Sequence, residues 1–189
     1  MTDFLAFFNL GLGHILDLSG IDHLLFIASI LLVYSLIDWR IIIRLMTAFT
    51  LGHAISMAIA FLGITPVSRA LIEFLIPLTI LVTSIYHLIA GKGSGLTQYI
   101  MIAFFGLIHG AAYSGEFMSM MGSAPEILLP LLGFNLGVEF GQLVFGAALL
   151  LTLHLLFNAI KSWKRAVTIL IFGLITVFSL FLAIQTWPW

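Results

Sequence analysis

The chain has 189 residues, 62% of them hydrophobic and 8% charged, with a net charge of −1 and a mean hydropathy of +1.22. A soluble domain carries about 25% charged residues, so this composition excludes one and predicts a single integral membrane domain over residues 1–189, surrounded by lipid. The near-zero charge excludes a nucleic-acid partner, and the absence of Cys excludes disulfides, thiolate ligands and thiol catalysis.

The N-terminal residues Met1, Thr2, Asp3 and Phe4 lack the basic segment of a cleaved signal peptide. Phe4 to Leu16 is apolar but broken by Asn9, Gly11, Gly13 and His14. It falls short of the ~20 residues a membrane crossing needs. The expectation is a re-entrant or interfacial helix, with a seventh span as the alternative. Six spans follow: Ile21–Ile37, Ile41–Leu62, Ala70–Ala90, Gln98–Met121, Ile127–Phe157 and Ala166–Thr186. Gly63 and Pro66 close the second of these, and Trp187, Pro188 and Trp189 form an aromatic anchor at the end. The fold class is thus all-α, a polytopic helical bundle.

Arg40 and Arg44, Lys92, and then Lys161, Lys164 and Arg165 fall in alternate loops, whereas the opposite loops hold only Arg69. The positive-inside rule makes the first set cytoplasmic. Asp22 and His23 then open on the outer side, and the C-terminus lies outside.

Ionisable residues within spans are costly and face protein or water-filled cavities. Asp22 and His23 are such a pair, although Ser19 and Asp22 also have the spacing of a capping box that would simply start a helix. His53 lies in the next span, and His109, Tyr113 and Glu116 share one face of the fourth. In the fifth, Asn135, Glu139 and Gln142 form a polar stripe opposite Gly133, Gly137 and Gly141, a small-residue stripe for close helix approach. One packing face and one polar face leave that helix little surface for lipid, so it is expected at the centre of the bundle. Asn135 and Gln142 suit interhelical hydrogen bonding better than ligation. His87 and His154 fall near cytoplasmic ends and read as interfacial. The methionines at 118, 120 and 121 read as packing.

Imidazole with carboxylate is a donor set for a borderline divalent metal. Metal ligands are therefore expected among His14, Asp22, His23, His53, His109 and Glu139, supported by Tyr113, Glu116, Asn135 and Gln142.

Gly13-His14-Ile15-Leu16 with Gly20-Ile21-Asp22-His23-Leu24-Leu25-Phe26, Thr47-Ala48-Phe49-Thr50-Leu51-Gly52-His53, Phe105-Gly106-Leu107-Ile108-His109-Gly110 and Phe134-Asn135-Leu136-Gly137-Val138-Glu139-Phe140-Gly141-Gln142 together resemble the HupE/UreJ family. The resemblance implies a multi-pass protein of the bacterial inner (cytoplasmic) membrane that acts as a nickel or cobalt permease for hydrogenase and urease maturation. The family's signature His-Pro-x-x-Gly-x-Asp-His is met by His14, Gly20, Asp22 and His23, with Ile15 in place of proline and a longer first interval. Its signature His-Gly-x-Ala-His-Gly-x-Glu is met by His109, Gly110, Ala112 and Glu116, with Tyr113 and Ser114 replacing His and Gly.

Uptake of a divalent ion (Ni, Co or Zn) is the leading expectation, with His14, Asp22 and His23 as entry ligands and His53, His109 and Glu139 deeper. Against it stands the lack of an acidic exit path beyond Glu139. Two alternatives stay open: a zinc-dependent hydrolase acting on a lipid or lipid-linked substrate at the outer leaflet, and a metal-stabilised structural protein. Whether the chain forms a homo-oligomer is left open.

Overall fold

The computed structural model describes residues 2–17, 20–64, 67–93, 95–122 and 126–188, and the side chains of Thr2 and Asp3 are not among those described. The described residues are helical with short connections and no strand. Seven helices follow in order: α1 Thr2–Leu16, α2 Ile21–Leu31, α3 Trp39–Phe61, α4 Arg69–Ala90, α5 Leu96–Met121, α6 Leu128–Ala159 and α7 Lys164–Gln185. A 3-10 turn, Leu36–Asp38, leads into α3, and another, Lys161–Trp163, into α7. Five of the helices are long and apolar enough to cross a membrane, which makes the protein a multi-pass bundle as its composition requires.

The first expected span departs from its sequence reading. Past Asp22 and His23, residues 24–33 are apolar but for Ser29, yet α2 stops at Leu31 after 11 residues, too short to cross. Tyr34 leaves the helical path and donates its hydroxyl to the Gly93 carbonyl, while Gln98 Nε2 donates to the Tyr34 oxygen at 3.0 Å. Ser35 and Asp38 then form a capping box that opens the next turn. α1 and α2 qualify as a crossing only together, bent by 71° at the break between them.

Glycine contacts set the direction of α1. Gly133 of α6 faces Phe4, Gly137 faces Phe8, and Gly141 faces Ile15, so the two helices run parallel and in register. Leu31, at the other end of α2, meets Gly146 further along the same helix. α1 therefore descends half the depth of the bundle and α2 completes the descent. This is a discontinuous span rather than a re-entrant hairpin, and irregular backbone at such a break is tolerated where protein surrounds it. The capping role of Ser19 lies outside the described residues. Gly20 holds the N-cap of α2, without a side-chain cap bond.

The expected glycine stripe on α6 is thus the seat of α1. The expectation that α6 has little lipid surface does not hold: Leu128, Leu132, Leu136, Phe140 and Val144 are exposed along a third face. α3 and α5 form a second parallel pair, with Gly106 against Phe49 and Gly110 against His53. α4 packs on α7, and α2 fills the space between α4 and α6. Lys92 bonds Asp38 at 2.6 Å at the end of the bundle where the Tyr34 contacts lie. Basic residues collect at this end, so it is the cytoplasmic one by the positive-inside rule. Trp187 packs on Phe74 at the opposite end, while Pro66 and Trp189 lie outside the described residues.

With a broken first span, α1 begins and α7 ends at the end of the bundle opposite Lys92, the outer one by the positive-inside rule. In this Cys-free chain, Leu5→Cys and Trp187→Cys are expected to react with an impermeant maleimide from outside, and Leu96→Cys from the cytoplasm only. Cytoplasmic labelling of position 5 would contradict the discontinuous span.

Candidate metal centre

The break between α1 and α2 places His14, at the end of one half-helix, against His23, at the start of the next. Their ring centroids are 4.5 Å apart. His109 of α5 approaches His23 at 4.9 Å, and His53 of α3 approaches His14 at 6.1 Å. Asp22 Oδ1 lies 3.4 Å from His23 Nδ1 and accepts the His23 backbone N–H at 3.0 Å. The N-terminal turn of a helix is a favourable place for a carboxylate. Asp22 and His23 are thus not at the outer mouth of a span, as the sequence suggested. They lie deep in the bundle, level with the middle of α5.

His23, His53 and His109 are buried and His14 is half-buried. Each carries a buried ring nitrogen without a hydrogen-bond partner: His14 Nε2, His53 Nε2, His109 Nδ1 and both nitrogens of His23. Buried polar groups are normally paired, so orphaned nitrogens converging from four helices mark a place for a ligand. Two sets bring their donor atoms within 4.8 Å of one another: His14, His23 and His53, and Asp22, His23 and His109. Ligand atoms on one ion stand at most about twice the ~2.0–2.1 Å metal–nitrogen bond apart. A small contraction therefore closes either set, and the residues present fit a divalent transition metal.

Neighbouring hydrogen bonds fix two of the tautomers. The Asn135 amide nitrogen donates to the Leu131 carbonyl at 2.9 Å, which leaves Asn135 Oδ1 facing His53 Nδ1 at 3.1 Å. The proton in that bond must come from Nδ1, so His53 Nε2 keeps its lone pair for a ligand. Thr79 of α4 gives its hydroxyl proton to the Ile76 carbonyl at 2.7 Å and lies 3.0 Å from His109 Nε2. Its oxygen therefore accepts from Nε2, and His109 Nδ1 keeps its lone pair for a ligand. An outer partner of this kind orients a metal-binding histidine and raises its basicity. In a His53→Ala background, which leaves only the set containing His109 whole, Thr79→Val is expected to weaken metal binding ~10–100-fold with the fold intact, and Thr79→Ser to restore it. Equal affinity with and without Thr79→Val in that background, measured by competition with a metal indicator, would remove Thr79 from the centre.

The other expected site residues are distributed differently. Asn135 contacts His53, as described above. Gln142 bonds Thr50 at 3.2 Å and joins α6 to α3. Glu139 belongs to neither donor set: its carboxylate accepts from Thr47 Oγ1 at 2.5 Å, six residues before His53 on α3 and ~9 Å along its axis. Tyr113 lays its ring on His14 at 4.0 Å but turns its hydroxyl to Met120. Glu116 is exposed. His87 is buried rather than interfacial and meets Gln98 Nε2 at 2.8 Å, whereas His154 is exposed beside Asn158. Thr79 is the residue the sequence reading missed. Its spacing with Thr83 and His87 forms a polar stripe on α4 that could have drawn attention to it.

A cavity of about 1430 Å³ reaches the centre and is walled by α1, α3, α4 and α5, with His14, Asp22, His23 and His109 at its deep end. Arg69, Glu73 and Glu116 line its outer part, and Arg69 bonds Glu73 at 2.8 Å. Toward the cytoplasm the centre is closed by aromatic rings. The Phe26 and Phe49 rings are 5.0 Å apart, tilted by 37°, and contact His109 at 5.2 Å (tilted) and 5.3 Å (edge-on).

Among known proteins, no curated sequence and no solved structure matches the chain. The family described as HupE / UreJ protein matches residues 1–186, and the chain belongs to that family.

Proposed function

We propose that the protein is a permease of the bacterial inner membrane whose substrate is a divalent transition metal ion, taken from the outer side. The observation that carries this reading is the set of orphaned imidazole nitrogens around Asp22 at the deep end of an outward-open cavity. The open cavity and the Phe26 and Phe49 rings below the centre describe an outward-facing state. Release then requires those rings to part. Neutral imidazoles with one carboxylate suit Ni²⁺, Co²⁺ or Zn²⁺, and affinity alone follows the Irving–Williams order without choosing among them. Glu139, outside the donor sets, ties α6 to α3 in this reading. Proteoliposomes carrying an internal metal indicator test it. Saturable influx of Ni²⁺, Co²⁺ or Zn²⁺ is expected, and absence of flux in protein that binds the ion would refute transport.

The cavity favours one second reading. Ligand pockets typically measure ~300–1,000 Å³, and this larger space has apolar walls such as Leu107, Ile108, Ile72 and Ile76 at membrane depth. A lipid or lipid-linked substrate would fit there, with resident zinc supplying Lewis acidity and Asp22 serving as base. Retention of one zinc per chain through EDTA washing favours this hydrolase, and loss of the metal favours the permease.

A further inference from the structure

The two donor sets share only His23, and no larger set forms among the described residues. The four imidazoles also differ in how they are held. Asn135 fixes His53, and Thr79 fixes His109, each through the nitrogen that faces away from the centre. His23 Nε2 has no hydrogen-bond partner among the described residues, and its Nδ1 faces Asp22 Oδ1 at 3.4 Å, a group of the centre itself. An outer partner keeps a ligating nitrogen in place. Two rings fixed from outside the centre therefore stand on either side of one whose polar contact lies within it.

We infer that a bound ion alternates between two overlapping positions, one on His14, His23 and His53 and the other on Asp22, His23 and His109, with His23 as the ligand common to both. The inference rests on the metal-binding reading above and deepens it. One ion at a time occupies the centre. Asp22 is the sole carboxylate in either set, so one dication is already undercompensated, and a second beside it in a low-dielectric interior would be strongly repelled. Passing between positions need not strip the ion of all its protein ligands, because His23 belongs to both sets. That property suits a site which must both capture an ion and give it up.

Co²⁺ titration of the purified protein, read by visible absorption and by metal content, tests this. Three imidazoles and two imidazoles with a carboxylate give different ligand fields, so the positions have different spectra. His53→Ala is expected to lose the first position and His109→Ala the second, each still holding one Co²⁺ per chain. The wild-type spectrum should then be a weighted sum of the two. His14→Ala and Asp22→Asn remove a donor from the same two positions at half-buried residues, and they give the same split if a buried histidine variant does not fold. Identical spectra in the two classes of variant, complete loss of Co²⁺ in either class, or two Co²⁺ per wild-type chain would overturn the two-position centre. Absence of any Co²⁺ from the wild type would refute the metal reading itself.

Discussion

His23→Ala is expected to reduce metal binding further than any other single substitution at the centre, beyond the ~10–100-fold typical of losing an outer partner. His23 is the only residue present in both donor sets. Its loss removes a ligand from each, whereas any other substitution leaves one set whole. The variant also leaves a small cavity among Phe49, His14 and His109, whose rings lie 4.5 to 6.2 Å from that of His23. A stability measurement in detergent must therefore accompany the metal titration. His154→Ala is the appropriate control, because that ring is exposed and meets only Asn158. His87→Ala is not one: it would empty a buried position and cost Gln98 one of its partners, Tyr34 remaining. Competition titration of His23→Ala, His53→Ala, His109→Ala and His154→Ala against wild type checks the ranking. If His23→Ala binds metal as well as His154→Ala does, the donor sets play no part in binding.

Gly52→Val is expected to be the most damaging substitution for the fold. A Cβ at Gly52 would overlap the Ala103 carbonyl across the α3–α5 interface. The obstacle is backbone, which has no alternative rotamer, so the two helices must separate. Overpacking costs ~1–3 kcal/mol and occasionally more, and a clash with a carbonyl belongs at the upper end. Gly106 and Gly110 lie on the same interface, facing Phe49 and His53. Separation would thus move His53 and His109 apart and weaken metal binding as well. Gly13→Ala gives the contrast: a Cβ there has no atom within 4 Å, and losing a helical glycine is mildly stabilising by roughly 0.5–1 kcal/mol. Thermal unfolding in detergent distinguishes the two. Equal melting temperatures would mean that α3 and α5 are not held at backbone contact.

Much of the centre was legible because polar groups inside a membrane are rare enough to stand out. His14, Asp22, His23, His53 and His109 could be picked from their apolar surroundings, and the glycine stripe on α6 announced a close neighbour without naming α1. The depth of the site was not legible. From Leu24 to Ile37 the chain is apolar but for Ser29, Tyr34 and Ser35, and hydropathy does not mark the point at which Tyr34 leaves the helix to reach Gly93. A full-length span starting at Ile21 puts Asp22 at the membrane surface, whereas a half-span puts it in the interior. Glu139 was misplaced for a related reason. It shares a stripe with Asn135, but four residues along a helix are ~6 Å, enough to carry it past His53 to Thr47. Thr79 was missed because a lone hydroxyl in an apolar helix ordinarily bonds back to its own backbone. It does so here too, and its remaining lone pairs then orient His109.

The most direct test of the central claim is X-ray absorption at the metal edge of protein loaded with one equivalent of Ni²⁺, Co²⁺ or Zn²⁺. A centre built from His14, Asp22, His23, His53 and His109 predicts a first shell of nitrogen and oxygen at ~2.0–2.2 Å, the outer-shell scattering of several imidazole rings, and no sulfur. The imidazole scattering should fall in His53→Ala, which leaves Asp22, His23 and His109, and rise in His109→Ala, which leaves His14, His23 and His53. A shell of water and carboxylate oxygen without imidazole scattering, or a signal unchanged in both variants, would place the metal elsewhere and contradict the account.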